Sequence, residues 1–371
     1  MINRQWLLTS RPVGLISEDN FKRHETKVPL TKDNQVLVKN VYLSFDPTQR
    51  IWSSIESYVP IIELNDVMRA FGLGQVLESK QKGFKKGDLV FYLAGWQDYC
   101  LIDFNEKQLI DPMVIPSILD PKVALALSIT GLTAYFGLLD IAKLKADELV
   151  LVSGAAGAVG SMVCQLAKLK NARVVGLAGS DEKCKWLVDS LQVDAAINYK
   201  KDPIEEKLDM YCDNKIDIYF DNVGGEMLDR ALARLNEHAR IVLCGAISQY
   251  NEITEEALDN PDAYGPKLYA NLIIKNSKME GFVVTDYASK FQKGLMDLTR
   301  WIGRGDISCN IDLQTGFENI PNTLQRLFTG ENKGKQLLQL CELPLPLNKN
   351  FITDTLIKLI NPNLAKARTK S

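Results

Sequence analysis

The residues best suited to chemistry form a loop between a strand and a helix, Leu149-Val-Leu-Val-Ser-Gly154-Ala-Ala-Gly157-Ala-Val-Gly160. The pattern Ala155-x-Gly157-x-x-Gly160 is a variant of the loop that cradles the phosphates of a dinucleotide. A small first residue permits the tight turn, and Gly157 lets the backbone approach a pyrophosphate. Gly160 lets the next helix pack close to the strand. Val159, Met162, Val163, Leu166 and Ala167 then follow helical spacing. The first turn of that helix offers free N–H groups and a positive dipole end to an anion. Glycines also make ordinary turns, but here strand, loop, helix and next strand come in order.

The second strand chooses between cofactors. An Asp or Glu at its tip grips the ribose 2′-hydroxyl of NAD. This strand, Arg173–Leu177, ends in Ala178-Gly179-Ser180 without an acid. Asp181 and Glu182 follow in a Ser180-x-x-Lys183 helix start, where acids favour the first turn. Lys183 is then placed to pair with a 2′-phosphate and Ser180 to donate a hydrogen bond. A lysine here is otherwise a solvated surface charge; with no acid at the tip, the reading is NADPH/NADP.

A metal is the familiar alternative for polarising a carbonyl beside a nicotinamide, and catalytic zinc takes about three side-chain ligands. The chain has two histidines and seven cysteines, none spaced C-x-x-C. His24 lies in a charged run, and His238 is expected at a helix end, Leu235–Arg240. Both read as structural, so no metal site is expected. The cysteines read as reduced, mostly buried thiols.

These groups need a frame. At 371 residues the chain suits two domains. Lys plus Arg number 44 against 46 Asp plus Glu, so no overall field recruits nucleic acid or an anionic membrane. No apolar run or N-terminal pattern reads as a membrane span or signal peptide, and the expected location is cytoplasmic. Residues before the long apolar helical stretch Lys122–Leu139 read as short strands and turns. From Glu148, strands at Leu149–Val152, Arg173–Leu177, Ala195–Asn198, Ile216–Phe220, Arg240–Cys244 and Met279–Val284 alternate with helical patterns, one of them through Leu228, Leu232 and Leu235. Such alternation predicts a doubly wound α/β fold with a parallel sheet. Ile307–Leu340 reads as strand, helix and strand returning to the first domain.

In order along the chain stand Gly131-Leu-Thr-Ala-Tyr-Phe-Gly-Leu-Leu139, Ser153–Ser161, Gly179-Ser-Asp-Glu-Lys183, Phe220-Asp-Asn-Val-Gly-Gly225 and Cys244-Gly-Ala-Ile-Ser248. Together they resemble the zinc-independent medium-chain dehydrogenase/reductases, specifically the prostaglandin reductase (2-alkenal reductase) group. The resemblance runs from the N-terminus to about Leu340. It implies a GroES-like, mostly-β catalytic domain (1–122 and 305–343), a Rossmann NADP-binding domain (123–304) and a C-terminal tail (344–371).

The implied activity is NADPH-dependent reduction of the carbon–carbon double bond of α,β-unsaturated aldehydes and ketones, with a small electrophilic carbonyl compound as partner. A homodimer is expected. By motif position, Gly157, Ala158, Val159 and Gly160 hold the pyrophosphate. Ser180, Lys183 and Tyr199 meet the adenosine 2′-phosphate end. Asn222 lines the nucleotide, with Cys244, Gly245, Ala246, Ile247, Ser248 and Tyr250. Phe282, Val283 and Val284 border the nicotinamide, and Asn332 closes over it. Two rival readings remain: an NADPH quinone oxidoreductase, and a non-catalytic NADPH-binding protein.

Three departures from the family pattern concern the substrate. Asp-Pro-Tyr-Met-Arg becomes Asp46-Pro-Thr48-Gln-Arg50, which removes an aromatic wall. Met-Pro-Gly becomes Ile129-Thr130-Gly131. A tyrosine found near substrate in some members aligns with Ile274, while Tyr269 lies nearby out of register. The reaction needs a hydride, stabilisation of the enolate oxygen and a proton. Tyr269 and the cofactor's ribose hydroxyl are candidates for the second, water for the third, and no catalytic side chain is assigned. Beyond Pro344 and Pro346, Ile352, Leu356 and Leu359 share one face of an expected short helix. Its apolar stripe is expected to dock on the protein's own body, the alternatives being a second subunit or, through Lys366, Arg368 and Lys370, an acidic surface.

Overall fold

The computed structural model describes residues 1–117, 119–213, 215–254 and 265–348. β1 (Ile2–Leu8) and β2 (Phe21–Lys27) form an antiparallel ribbon. β3 (Gln35–Ser44), rich in valine and leucine and buried along nearly its whole length, is the hub of the first large sheet. β4 (Phe71–Ser79) pairs with it antiparallel, β5 (Leu89–Leu93) pairs with β4, and β6 (Tyr99–Asp103) pairs again with β3. β7 (Met113–Ile115) closes one edge. A helix of one turn, Thr48–Trp52, follows directly from β3 and brings its side chains to the cleft described below.

The chain leaves this sheet through an apolar helix, Pro121–Ile141. Asp120 caps it, accepting the Lys122 N–H at 2.8 Å, and Pro121 occupies the first helical position. Residues 127–131 and 137–141 widen to π geometry, a common mark of functional segments. The helix has the length and composition of a bilayer span, but 78% of its apolar window is buried inside the protein, so it is read as a core helix.

The second sheet contains β8 (Leu149–Val152), β9 (Arg173–Ala178), β10 (Ala195–Asn198), β11 (Ile216–Asp221), β12 (Leu235–Leu243) and β13 (Lys278–Gly281). All pair in parallel, in the order β10-β9-β8-β11-β12-β13. The order reverses between β8 and β11, and such sheets bind ligands in the crevice at that point. The chain then returns to the first sheet as β14 (Ile311–Thr315), the helix Ile320–Thr329 and β15 (Lys335–Gln339), with β15 beside β3.

One expected helix end is strand. Leu228 and Leu232 lie on the helix Glu226–Leu232, but Leu235 opens β12. All three leucines enter the same apolar cluster, so the shared core face mimicked a single helical stripe. His238 sits in a bulge of that strand at φ 60°, because Ile216 pairs with Leu235 and Ile218 with Arg240. His238 and His24 are both exposed. After Pro344 the chain lies along the β4–β5 turn. The buried Gln75 amide donates to Leu345 O at 2.9 Å and accepts the Leu345 N–H at 2.8 Å. The expected helix through Ile352, Leu356 and Leu359 lies outside the described residues.

Candidate active site

One cavity of about 360 Å³ runs from the switch point of the parallel sheet to the end of β3. Its floor is the loop after β8. Gly157 precedes the helix Ala158–Leu169 with extended backbone, and no side chain caps the helix. The free N–H groups of that first turn therefore remain for an anion. A Cβ on Gly160 would collide with the Gly154 carbonyl and stand 2.8 Å from the Ala155 Cα. A Cβ on Gly157 would meet only Gly154 O, at 3.2 Å, so glycine there serves what enters the cavity. Gly334 reaches across from the returning segment, its N–H donating to Ala156 O at 2.8 Å.

At the tip of β9, Lys183 lines the cavity, its ammonium donating to Gly330 O at 2.8 Å. Burial, then Lys200 nearby, draws it below the ordinary lysine range. The neighbouring acids are engaged elsewhere: Asp181 pairs with Lys201 at 2.6 Å and Glu182 with Lys333 at 3.0 Å. Neither Asp181 nor Glu182 lines the cavity, whereas Tyr199 does.

The wall above β11 hangs on Asp221. One carboxylate oxygen accepts Ser153 Oγ and Tyr219 OH, each at 2.9 Å, and the backbone N–H groups of Val223 and Gly224. Asn222 donates its side-chain amide to Ser153 O at 2.7 Å. Cys244 and Gly245 donate their N–H groups to Asp221 O, which stacks the next loop on this one. Burial pushes the Cys244 thiol up to about 12. The Tyr250 hydroxyl accepts the Ala246 N–H at 3.1 Å, and no acceptor for its own proton stands among the described residues. Burial pushes this phenol up to about 12, so it remains a donor at neutral pH. Arg50, fully buried, donates to Pro12 O, Gly14 O and Asn251 O, fixing the chain beside Tyr250.

Of the residues expected to hold the nucleotide, Gly157, Ala158, Val159, Gly160, Lys183 and Tyr199 border the cavity. Asn222, Cys244, Gly245, Ile247 and Tyr250 also border it, as do Phe282, Val283, Val284 and Asn332. Ser180, Ala246 and Ser248 are not among its lining residues. The Ser180 hydroxyl caps the following helix, accepting the Lys183 N–H at 3.2 Å. Ser248 Oγ donates to Val223 O at 2.6 Å, and Ala246 contributes its N–H to Tyr250. Tyr269 is also absent from the lining and is 61% exposed.

At the far end of the cavity the sequence marks Thr48 and Ile129 but not the residues around them. Phe45, Ile51, Trp52, Phe71, Leu109 and Ile129 make it apolar and aromatic. Thr48 stands where the family carries an aromatic, and its hydroxyl lies 2.6 Å from that of Tyr58, which lines the same end. An aromatic ring thus returns to the wall from a later loop. Among the described residues, no three His, Cys, Asp or Glu side chains gather as a metal site.

A switch-point phosphate loop joined to an apolar cleft between two sheets defines a nicotinamide-dependent oxidoreductase. Residues 4–110 match the family described as N-terminal domain of oxidoreductase, and residues 158–301 that described as zinc-binding dehydrogenase. The chain is 42% identical over 341 residues to the putative NADP-dependent oxidoreductase YfmJ of Bacillus subtilis, covering 91% of this chain and 98% of that protein. It is 36% identical over 340 residues to the NADPH-dependent curcumin reductase of Escherichia coli, at 91% and 96% coverage. The crystal structure of CurA from Vibrio vulnificus in complex with NADPH superposes with a TM-score of 0.83 at 38% identity, covering 91% and 99%. The chain belongs to the zinc-independent medium-chain dehydrogenase/reductases, in the group of the prostaglandin reductases. Its cofactor is NADPH.

Proposed function

We propose that this protein uses NADPH to reduce the carbon–carbon double bond of α,β-unsaturated aldehydes and ketones. The observation that carries this reading is the Tyr250 phenol, oriented by the Ala246 N–H in a cavity that joins the phosphate loop to an aromatic cleft. A conjugated carbonyl seated there meets a neutral donor. The names of the curcumin and prostaglandin reductases support the same substrate class.

Bound NADPH supplies a hydride to the β-carbon. Gly157–Gly160 hold its pyrophosphate, Lys183 and Tyr199 its 2′-phosphate end, and Phe282–Val284 the nicotinamide border. As the double-bond electrons move to the carbonyl oxygen, the Tyr250 O–H stabilises the enolate, a strong effect where water is excluded. The aromatic side chains orient a flat, apolar substrate. The same reading sets the domain bounds near residues 122 and 304, with this cleft between a catalytic and a nucleotide-binding domain.

Seven unpaired cysteines suit a reducing compartment such as the cytoplasm. The exposed Ile273 and Ile274 lie just before β13, an edge of the parallel sheet, and suit a homodimer contact. NADPH oxidation measured over a panel of enals, enones and quinones tests the reading. The expected result is turnover of enals and enones to saturated carbonyl products. Turnover of quinones alone assigns a quinone reductase, and tight NADPH binding with no turnover assigns a non-catalytic protein.

A further inference from the structure

Hydride and enolate stabilisation leave one requirement open, a proton for the α-carbon. One buried ionisable pair, whose acid lines the cavity, has no part in the steps above. Asp46 and Lys335 meet at 2.5 Å, with side-chain exposures of 11% and 4%. Lys335 also donates to Phe45 O at 3.1 Å, and the second Asp46 oxygen accepts Ser44 Oγ at 2.6 Å. A third ammonium N–H has no acceptor among the described residues. Buried ion pairs add little net stability, because desolvation offsets their attraction. Stability alone therefore gives little reason to keep this pair inside.

Its position supplies a reason. Lys335 follows Gly334, which bridges to Gly157 in the phosphate loop. Asp46 lines the cavity immediately before Pro47 and Thr48, which belong to its apolar end. The pair thus stands where the nucleotide end gives way to the apolar cleft. Behind it lies a second chamber of about 10 Å³, bordered by Lys335, Ser161, Ser308 and Asn310. That is about the space of one water molecule. Thr130 and Ala158 border both chambers, so the two share a wall. Burial draws the Lys335 ammonium below the ordinary lysine range against the pull of Asp46, which eases proton release.

We propose that the Asp46–Lys335 pair is the internal acid that protonates the α-carbon, an assignment that rests on the enone reading. As the enolate collapses, its carbon–carbon π electrons take a proton from the Asp46 carboxyl and the carbonyl re-forms. The Asp46 oxygen receives that proton from Lys335, whose N–H bond breaks. The neutral amine then recovers a proton from solvent water by way of the small chamber. Each turnover consumes one hydride and one proton.

An α-methyl enone reduced in D2O tests this. Wild type should place the α-deuteron on one face. Lys335→Arg keeps the charge and the pairing, but guanidinium does not release its proton. Lys335→Arg and Asp46→Asn should each lower kcat about a hundredfold, the lower range for a lost general acid. They should label both faces and leave the NADPH Kd within twofold. Variants that keep single-face labelling, at any kcat, overturn the proposal. So does wild type that labels both faces at early turnover, a result needing no variant. Wild type that reduces no enone removes the enone reading itself, and the proposal with it.

Discussion

At the nucleotide end of the cavity the floor is local in sequence. β8, its loop and the helix Ala158–Leu169 are consecutive, and Lys183 follows the next strand. At the apolar end, Phe45, Trp52, Phe71, Leu109 and Ile129 come from separate segments that meet only because β3 and β4 and the helix Pro121–Ile141 converge. The first wall presents backbone N–H groups and a cation, Lys183. The second offers apolar surface and a few hydroxyls, which a single substitution can reshape, as at Thr48. The cofactor is therefore dictated more tightly than the substrate.

The largest expected effect tests the local wall. Gly157→Val adds bulk towards the cavity and should abolish measurable NADPH binding by calorimetry, with a melting temperature near that of wild type. Gly160→Ala overlaps Gly154 O and should instead lower the melting temperature. Retained micromolar affinity in Gly157→Val would show that the phosphates lie elsewhere.

At the junction of the two ends, Tyr250→Phe removes one hydrogen-bond donor to the developing enolate. Loss of such a donor costs about 100-fold in kcat. The NADPH Kd should stay constant, and an unchanged kcat would remove Tyr250 from the chemistry. The smallest effect belongs to Lys183→Ala. Loss of one charge-assisted contact costs about 1.5–3 kcal/mol. NADPH should weaken accordingly in titration while NADH is nearly unchanged, and equal weakening of both would refute the 2′-phosphate assignment.

The same contrast governs what the sequence alone could yield. The parallel sheet and the phosphate loop follow from apolar periodicity and glycine spacing, because those signals act between near neighbours, whereas Tyr199, Asn222, Cys244, Phe282 and Asn332 rest on the family resemblance alone. The Ser180 oxygen caps a helix by accepting the Lys183 N–H, a role that Ser-x-x-Lys also predicts and that leaves its O–H to donate. Ser248 bonds Val223 O instead of facing the cavity, which depends on how one loop stacks on another. Tyr269 lies outside the cavity lining, and nearness to an aligned position carries no information about side-chain exposure. Asp46, two residues past β3, and Lys335, the first residue of β15, left no signal in the sequence that separates them from ordinary surface charges. Their partnership, 289 residues apart, became visible only once β15 lay beside β3.

The central claim is that hydride goes from NADPH to the β-carbon of a conjugated carbonyl. NADPH carrying deuterium at both C4 positions, incubated with the enzyme and a simple enone, tests it most directly through NMR and mass analysis of the product. The predicted product is a saturated ketone with one deuterium on the β-carbon. An allylic alcohol with deuterium on the former carbonyl carbon would contradict the account.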